Sequence, residues 1–216
     1  MEIAQIKILA LADIHGYTKK IPLLAEAAKA CDIILLAGDI TDFGSGKQAE
    51  SVLKALNALG KPVLGVCGNC DPPEVHAVLR QQAVCLSNHP TKINGIRFVG
   101  LPYPASQESI KSIKDHLAAH PSKPFVLVSH QPAGRTEVDL QGGTHHKGSQ
   151  LIRSFIEDCQ PLVALSGHIH EARGTDQIGD ALLVNPGPFK NNCYAIIDCK
   201  NPSPVTHLHM LSLQDR

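Results

Sequence analysis

The chain has 216 residues, with 20 Lys and Arg against 20 Asp and Glu, 12 His and no Trp. Zero net charge at pH 7 leaves no broad positive field to gather nucleic acid or an anionic membrane, which argues against a general nucleic-acid coat. The longest apolar runs fall far short of the ~20 residues of a membrane span, the first residues lack a signal-peptide pattern, and seven scattered Cys suit a reducing cytosol. Residues 1–216 are expected to form one soluble, cytoplasmic domain, large enough to bury about 70% of its unfolded surface without disulfides.

In chain order, a β-rich apolar run at 7–12 is followed by an amphipathic stretch at 19–30, then a strand at 33–37 and a helix at 47–59. Within that helix Val52, Leu53, Leu56 and Leu59 recur at three- and four-residue spacing, which makes a face to pack on a sheet. The alternation continues with a strand at 62–66, a helix at 74–82, a strand at 96–100, a helix at 107–120 and a strand at 125–129. Residues 131–149 form the one long loop, and a loop of that length in a compact domain is usually functional. A helix at 149–159, capped by Ser149, leads to strands at 162–165, 181–184, 194–198 and 205–211. The pattern is α/β. With no helix between them, the last strands are expected to close as an antiparallel meander.

The strand ends carry the chemistry. The run Leu-Ala-Leu-Ala ends in Asp13-Ile14-His15, and the next strands end in Gly38-Asp39-Ile40-Thr41-Asp42 and Gly68-Asn69-Cys70-Asp71. The later strands end in His130 and in Gly167-His168-Ile169-His170. In open α/β sheets, ligands bind in the crevice at the carboxyl ends of the strands. Taken singly, these pieces read as turns, caps or a half-buried histidine. Five strand ends in succession bearing metal-ligating side chains do not. Two divalent cations about 3.5–4 Å apart need a carboxylate between them, neutral imidazoles around them and open positions for substrate. Asp13, Asp39, Asn69, His15, His130, His168 and His170 supply enough donors for two such ions. Glycine before Asp39, Asn69 and His168 lets the backbone approach closely.

The ordered blocks D-I-H, G-D-I-T-D, G-N-C-D, S-H-Q and G-H-I-H closely resemble those of the calcineurin-like metallophosphoesterases, over residues 7 to about 185. The resemblance implies a four-layer α-β-β-α sandwich of two mixed sheets flanked by helices. It implies a first metal held by Asp13, His15, Asp39 and His170. It implies a second held by Asp39, as the bridge, with Asn69, His130 and His168. Position 70 is Cys where the larger branch of the family has a His that protonates the leaving oxygen, paired with the following acid, here Asp71. The Gly-Asn-Cys-Asp variant is similar to small bacterial and archaeal phosphodiesterase-type members. A thiol cannot offer an imidazolium, so Cys70 either leaves the departing group with less proton assistance or fills space beside the metals. Neither the Asp39 block nor the Asn69 block continues with the arginines of protein phosphatases. His146 or Lys147, in the loop before the 149–159 helix, either reaches the substrate phosphate or is a solvated tip.

The expected function is hydrolysis of phosphodiesters, with phosphomonoesters as a further class, by attack of a metal-bridging hydroxide. Asn69, Cys70 and Asp71 are the catalytic candidates, and Asn69, Cys70 and His146 the substrate-binding ones. A shell of His, Asp and Asn suits Mn²⁺, with Fe, Co, Ni or Zn as substitutes. The partner is a small-molecule phosphoester; homo-oligomers stay open. A nuclease or cyclic-nucleotide phosphodiesterase is the alternative enzyme, although five Phe and three Tyr give little for stacking bases. A non-catalytic metal-binding scaffold is the alternative of another class, and such relatives generally lose ligands, none of which is missing here. His76, His116, His120, His207 and His209 read as structural or solvated, Cys67, Cys85, Cys193 and Cys199 as small core residues, and Asn185-Pro186-Gly187 as a type II turn.

Overall fold

A computed structural model describes residues 5–87, 89–121, 124–200 and 203–211. The chain begins with β1 (Gln5–Leu11), a 3₁₀ turn at Ile21–Leu24 and the short helix α1 (Ala25–Lys29). The long helix expected at 19–30 is confined to these two pieces, and Pro22 stands in the first turn, where its missing N–H costs nothing. β2 (Ile33–Ala37), α2 (Gly46–Asn57), β3 (Val63–Val66), α3 (Pro73–Gln82) and β4 (Val84–Cys85) complete the first half. Next come β5 (Thr91–Ile93), β6 (Ile96–Gly100), α4 (Gln107–Ala119) and β7 (Phe125–Val128). The long loop carries a small hairpin, β8 (Leu140–Gln141) with β9 (His145–His146), before α5 (Gln150–Cys159). The last strands are β10 (Val163–Leu165), β11 (Gly174–Ile178), β12 (Ala181–Asn185), β13 (Cys193–Lys200) and β14 (Val205–Met210).

Two six-stranded mixed sheets result, in the orders β14-β13-β1-β2-β3-β4 and β11-β12-β10-β7-β6-β5. Side chains alternate between the faces of each strand. Ile8 and Ala10 of β1, Leu35 of β2 and Leu64 of β3 therefore meet Phe98, Val126, Val128, Leu165 and Val184 of the other sheet in one buried cluster. The opposite face of the first sheet, with Leu9, Leu11, Ile34 and Leu36, packs on Leu53, Leu56, Val75 and Leu79 of α2 and α3. The opposite face of the second, with Val99, Leu127 and Ala164, packs on Ile110 of α4 and Phe155 of α5. This is the expected helix–sheet–sheet–helix order of layers. Each such Val, Leu, Ile or Phe side chain, fully buried, contributes about 1.5–3 kcal/mol.

The end of the chain differs from the expected meander. β12 lies parallel to β10 in the second sheet, whereas β13 lies antiparallel to β1 in the first. The 186–192 segment carries the chain across: Phe189 is buried, its N–H donates to the Ala12 carbonyl (2.8 Å), and the Lys190 N–H donates to the Asp13 carbonyl (3.3 Å). That crossing anchors the loop after β1 and helps to fix its first aspartate.

Candidate metal centre

The carboxyl ends of β1, β2, β3, β7 and β10 open on the same edge of the sandwich, and all seven candidate ligands meet there. Asp13 and Asp39 are buried to 0% and 2% exposure. The Asp13 carboxylate accepts the His168 backbone N–H (3.1 and 3.2 Å), and its Oδ1 lies 3.5 Å from His170 Nε2. Asp39 divides its two oxygens. Oδ1 accepts the Cys70 N–H (2.8 Å) and sits 3.4 Å from His130 Nε2, while Oδ2 is 3.8 Å from His15 Nε2. Around those oxygens His15 Nε2 faces His170 Nε2 at 3.3 Å, and His130 Nε2 faces both Asn69 Oδ1 (2.9 Å) and His168 Nδ1 (3.1 Å).

These contacts sort into two donor sets. One is Asp13, His15, His170 and an Asp39 oxygen; the other is Asn69, His130, His168 and the second Asp39 oxygen. The donor chemistry fits divalent cations. His130 Nδ1 lies 2.8 Å from the Ala37 carbonyl, so in the neutral ring that nitrogen would carry the proton and donate it to the carbonyl, leaving Nε2 aimed inward as a lone pair for a cation. Ring nitrogens and oxygens that all present lone pairs at about 3 Å repel one another unless a proton or a cation holds them together.

The electrostatics point the same way. Burial opposes ionisation of Asp39, but its hydrogen bond and attraction to His130, with the Cys70 N–H, outweigh burial and hold its pKa at about 2. Burial pushes the pKa of His15 and of His168 below the usual histidine value, which keeps those rings neutral. At His130 burial acts downward as well, but Asp39 and then Asp13 overcome it and raise the pKa, a measure of how strongly this pocket draws positive charge.

The backbone is strained where the candidate ligands sit. Asp13, His15, Asp39 and His168 have φ of 53°, 50°, 49° and 71°. Left-handed conformations in residues other than glycine cost energy and cluster at functional sites. Glycines serve mainly for close approach: a Cβ on Gly68 would run into Asp39, and one on Gly167 would lie 2.6 Å from Asp13 Oδ2.

Three further candidates are placed differently from the donor sets. Cys70 is buried, its sulfur accepts an Asn69 amide N–H (3.2 Å), and burial followed by the hydrogen bond to Asp39 pushes the thiol up to about 12. It is a neutral thiol that turns the Asn69 amide so that Oδ1 faces His130. Its sulfur also lies within 4.8 Å of a His15 nitrogen and an Asp39 oxygen. Asp71 does not pair with the residue 70 side chain as an acid partner. Its carboxylate accepts from the N–H groups of Ile40 (3.0 Å), Thr41 (2.8 Å) and Gly68 (2.9 Å) and from the Thr41 hydroxyl (3.0 Å), tying two strand-end loops together. His146 sits on β9 with Nδ1 2.6 Å from Asp139 Oδ1, on a hairpin rather than on a free tip. Its contacts are with Asp139, not with the centre.

Other residues of the site carry no sequence signature. Gln48 of α2 lies against Gly16 and Gly44, where a Cβ on either glycine would strike its amide, so it clamps the loops after β1 and β2. The Tyr103 ring lies 5.7 Å from both His130 and His168. Exposed Lys190 is the cation beside His15, where its charge adds to burial in lowering the histidine pKa. Only the glycines next to Gln48's loops hinted at any of these.

The chain is 33% identical over 208 residues to the uncharacterized protein MJ1162 of Methanocaldococcus jannaschii, covering 90% of this chain and 92% of that one. It is 25% identical over 151 residues to a probable cyclic nucleotide phosphodiesterase of Synechococcus sp., covering 65% of this chain and 58% of that protein. The crystal structure of TT1561 of Thermus thermophilus matches with a TM-score of 0.74 at 18% identity, over 94% of this chain and 98% of that one, a likeness of fold. Residues 6–172 match the calcineurin-like phosphoesterase family, and the chain belongs to that family of metal-dependent phosphoesterases.

Proposed function

We propose that the protein hydrolyses phosphodiesters at two adjacent divalent ions, Mn²⁺ by preference, held by Asp13, His15, Asp39 and His170 and by Asp39, Asn69, His130 and His168. The observation that carries this reading is the division of Asp39, whose two oxygens face two separate donor sets. Two such ions supply Lewis acidity toward the phosphoryl oxygens and a lowered pKa for the attacking water.

The chain's own residues favour a diester. A monoester approaches as a dianion and a diester as a monoanion, and the rim offers Lys190 but no arginine from the Asp39 and Asn69 blocks. The Cys70 thiol, a far weaker acid than an imidazolium, gives a departing oxygen little proton assistance. Esters with good leaving groups therefore suit the site. The name of the Synechococcus relative favours cyclic nucleotides as one diester class to try. All seven cysteines are free, which suits a cytoplasmic setting, and among the described residues no helix is long and apolar enough to cross a membrane.

The test is hydrolysis of bis(p-nitrophenyl) phosphate against p-nitrophenyl phosphate by Mn²⁺-loaded protein, wild type and Cys70→His. The diester is expected to be the better wild-type substrate, and Cys70→His to raise monoester turnover. Wild-type preference for the monoester, or full activity after exhaustive chelation, would sink the reading.

A further inference from the structure

Among the described residues, Phe43 stands apart from every other large apolar side chain. It is 74% exposed, more than Leu23, Val84, Val205 or Met210, and among the described residues its ring makes no aromatic contact. The other four lie on the 3₁₀ turn before α1 and on the strands β4 and β14. Phe43 lies in the loop that follows Asp39. Its neighbour Asp42 has Oδ1 3.6 Å from His15 Nδ1, and its own N–H donates to the Cys70 carbonyl at 2.9 Å.

The ring is held outward by the backbone. Phe43 has φ of 52°, a left-handed conformation costly for a bulky residue. The Cys70 carbonyl holds it on one side, and on the other Gly44 is packed under Gln48. The non-glycine residues with positive φ fall into two groups. Asn94, Arg135, Gln160 and Asn192 lie in turns and at element ends, whereas Asp13, His15, Asp39 and His168 are the strained residues of the centre. Phe43 lies in the second region, and it is the member with a phenyl side chain. A strained backbone that presents an unpacked phenyl ring beside a phosphate-binding centre has its strain and its exposed apolar area explained by a ligand that covers the ring.

We infer that Phe43 forms an aromatic subsite for the organic group of the substrate, and that the esters taken by the centre carry a planar aryl or heteroaryl group next to the phosphate. The inference rests on the proposed phosphoesterase reading and narrows its substrate class. Stacking on one exposed ring is expected to tighten an aryl phosphate over an alkyl one by about five- to tenfold.

The chain has no Trp, so Phe43→Trp creates a single fluorescent reporter at this position. Zn²⁺-loaded wild type, Phe43→Trp and Phe43→Gly are titrated with phenyl phosphate and with methyl phosphate, by calorimetry and, for the tryptophan variant, by emission. Phe43→Gly removes the ring and suits the left-handed backbone, so its Tm is expected to equal or exceed that of wild type. The subsite predicts tighter phenyl than methyl phosphate binding in wild type, a ratio near one in Phe43→Gly, and a saturable tryptophan response to phenyl phosphate. Equal affinities in wild type, or an unchanged ratio in Phe43→Gly, would overturn the subsite. So would a silent tryptophan on a protein that binds both phosphates, and that result would leave the phosphoesterase reading standing. Failure of either phosphate to bind, together with no ester hydrolysis, would instead remove the phosphoesterase reading and the subsite with it.

Discussion

Two loops of this molecule are knotted by a buried aspartate in the same way, and they differ in what the knot serves. Asp71 gathers the N–H groups of Ile40, Thr41 and Gly68, and Asp139 gathers those of Arg135, Thr136 and Gly148. Yet burial outweighs the donors at Asp71 and raises its pKa, with Asp39 as a neighbouring like charge. At Asp139 burial acts upward too, but the His146 ring and the three N–H groups prevail and lower the pKa. The first knot therefore holds the loops of the centre against an electrostatic cost, while the second stabilises a loop with its own imidazole partner. Neither aspartate is free for chemistry. The reacting groups are left to the strand ends themselves.

The largest effect is expected at the first knot. Asp71→Ala orphans three buried N–H groups, while the Thr41 hydroxyl keeps the Cys70 carbonyl (3.1 Å); the loss should cost about 3–5 kcal/mol and lower metal affinity together with Tm. Calorimetric unfolding with and without Mn²⁺ checks this; an unchanged Tm would mean that the loops do not depend on the knot. Asp139→Asn should cost less, about 1–2 kcal/mol at neutral pH, because one oxygen still accepts N–H groups. Its folded pKa lies below the unfolded value, so the stability that Asp139 contributes is present above the ordinary carboxylate range and is lost as pH falls through the folded pKa. The Tm gap between wild type and Asp139→Asn should therefore close on acidification. A gap that widened would contradict the sign. His146→Ala should have the smallest effect, leaving kcat within about twofold and removing one of the hydrogen bonds to Asp139, which contributes about 0.5–1.5 kcal/mol. A large loss of kcat at unchanged Tm would return His146 to the substrate site.

Much of the fold and the centre is legible in the sequence because strand ends announce themselves locally. The runs before Asp13, Asp39, Asn69, His130 and His168 are continuous and apolar, and each stops at a polar ligand type. The alternation gives an α/β domain, and the four layers come from the resemblance of the ordered blocks to a known family. The remainder is set by geometry between distant segments. The sign of φ at Asp13, His15, Asp39 and His168 leaves no pattern in residue types. Gln48 reads as an ordinary polar helix residue until Gly16 and Gly44 close on it. The path from β12 to β13 crosses between sheets because Phe189 docks on the end of β1, a contact over about 180 positions that no local period records. Asp71 reads as an acid partner through the family motif, whose position does not reveal that its oxygens turn toward Ile40, Thr41 and Gly68.

The central claim is that Asp39 joins two metal sites. Native mass spectrometry of Mn²⁺-saturated protein, wild type against Asp39→Ala, tests it most directly. Two ions per wild-type chain are expected, with at most one, weakly held, in the variant. One ion in wild type, or two retained without Asp39, would contradict the claim.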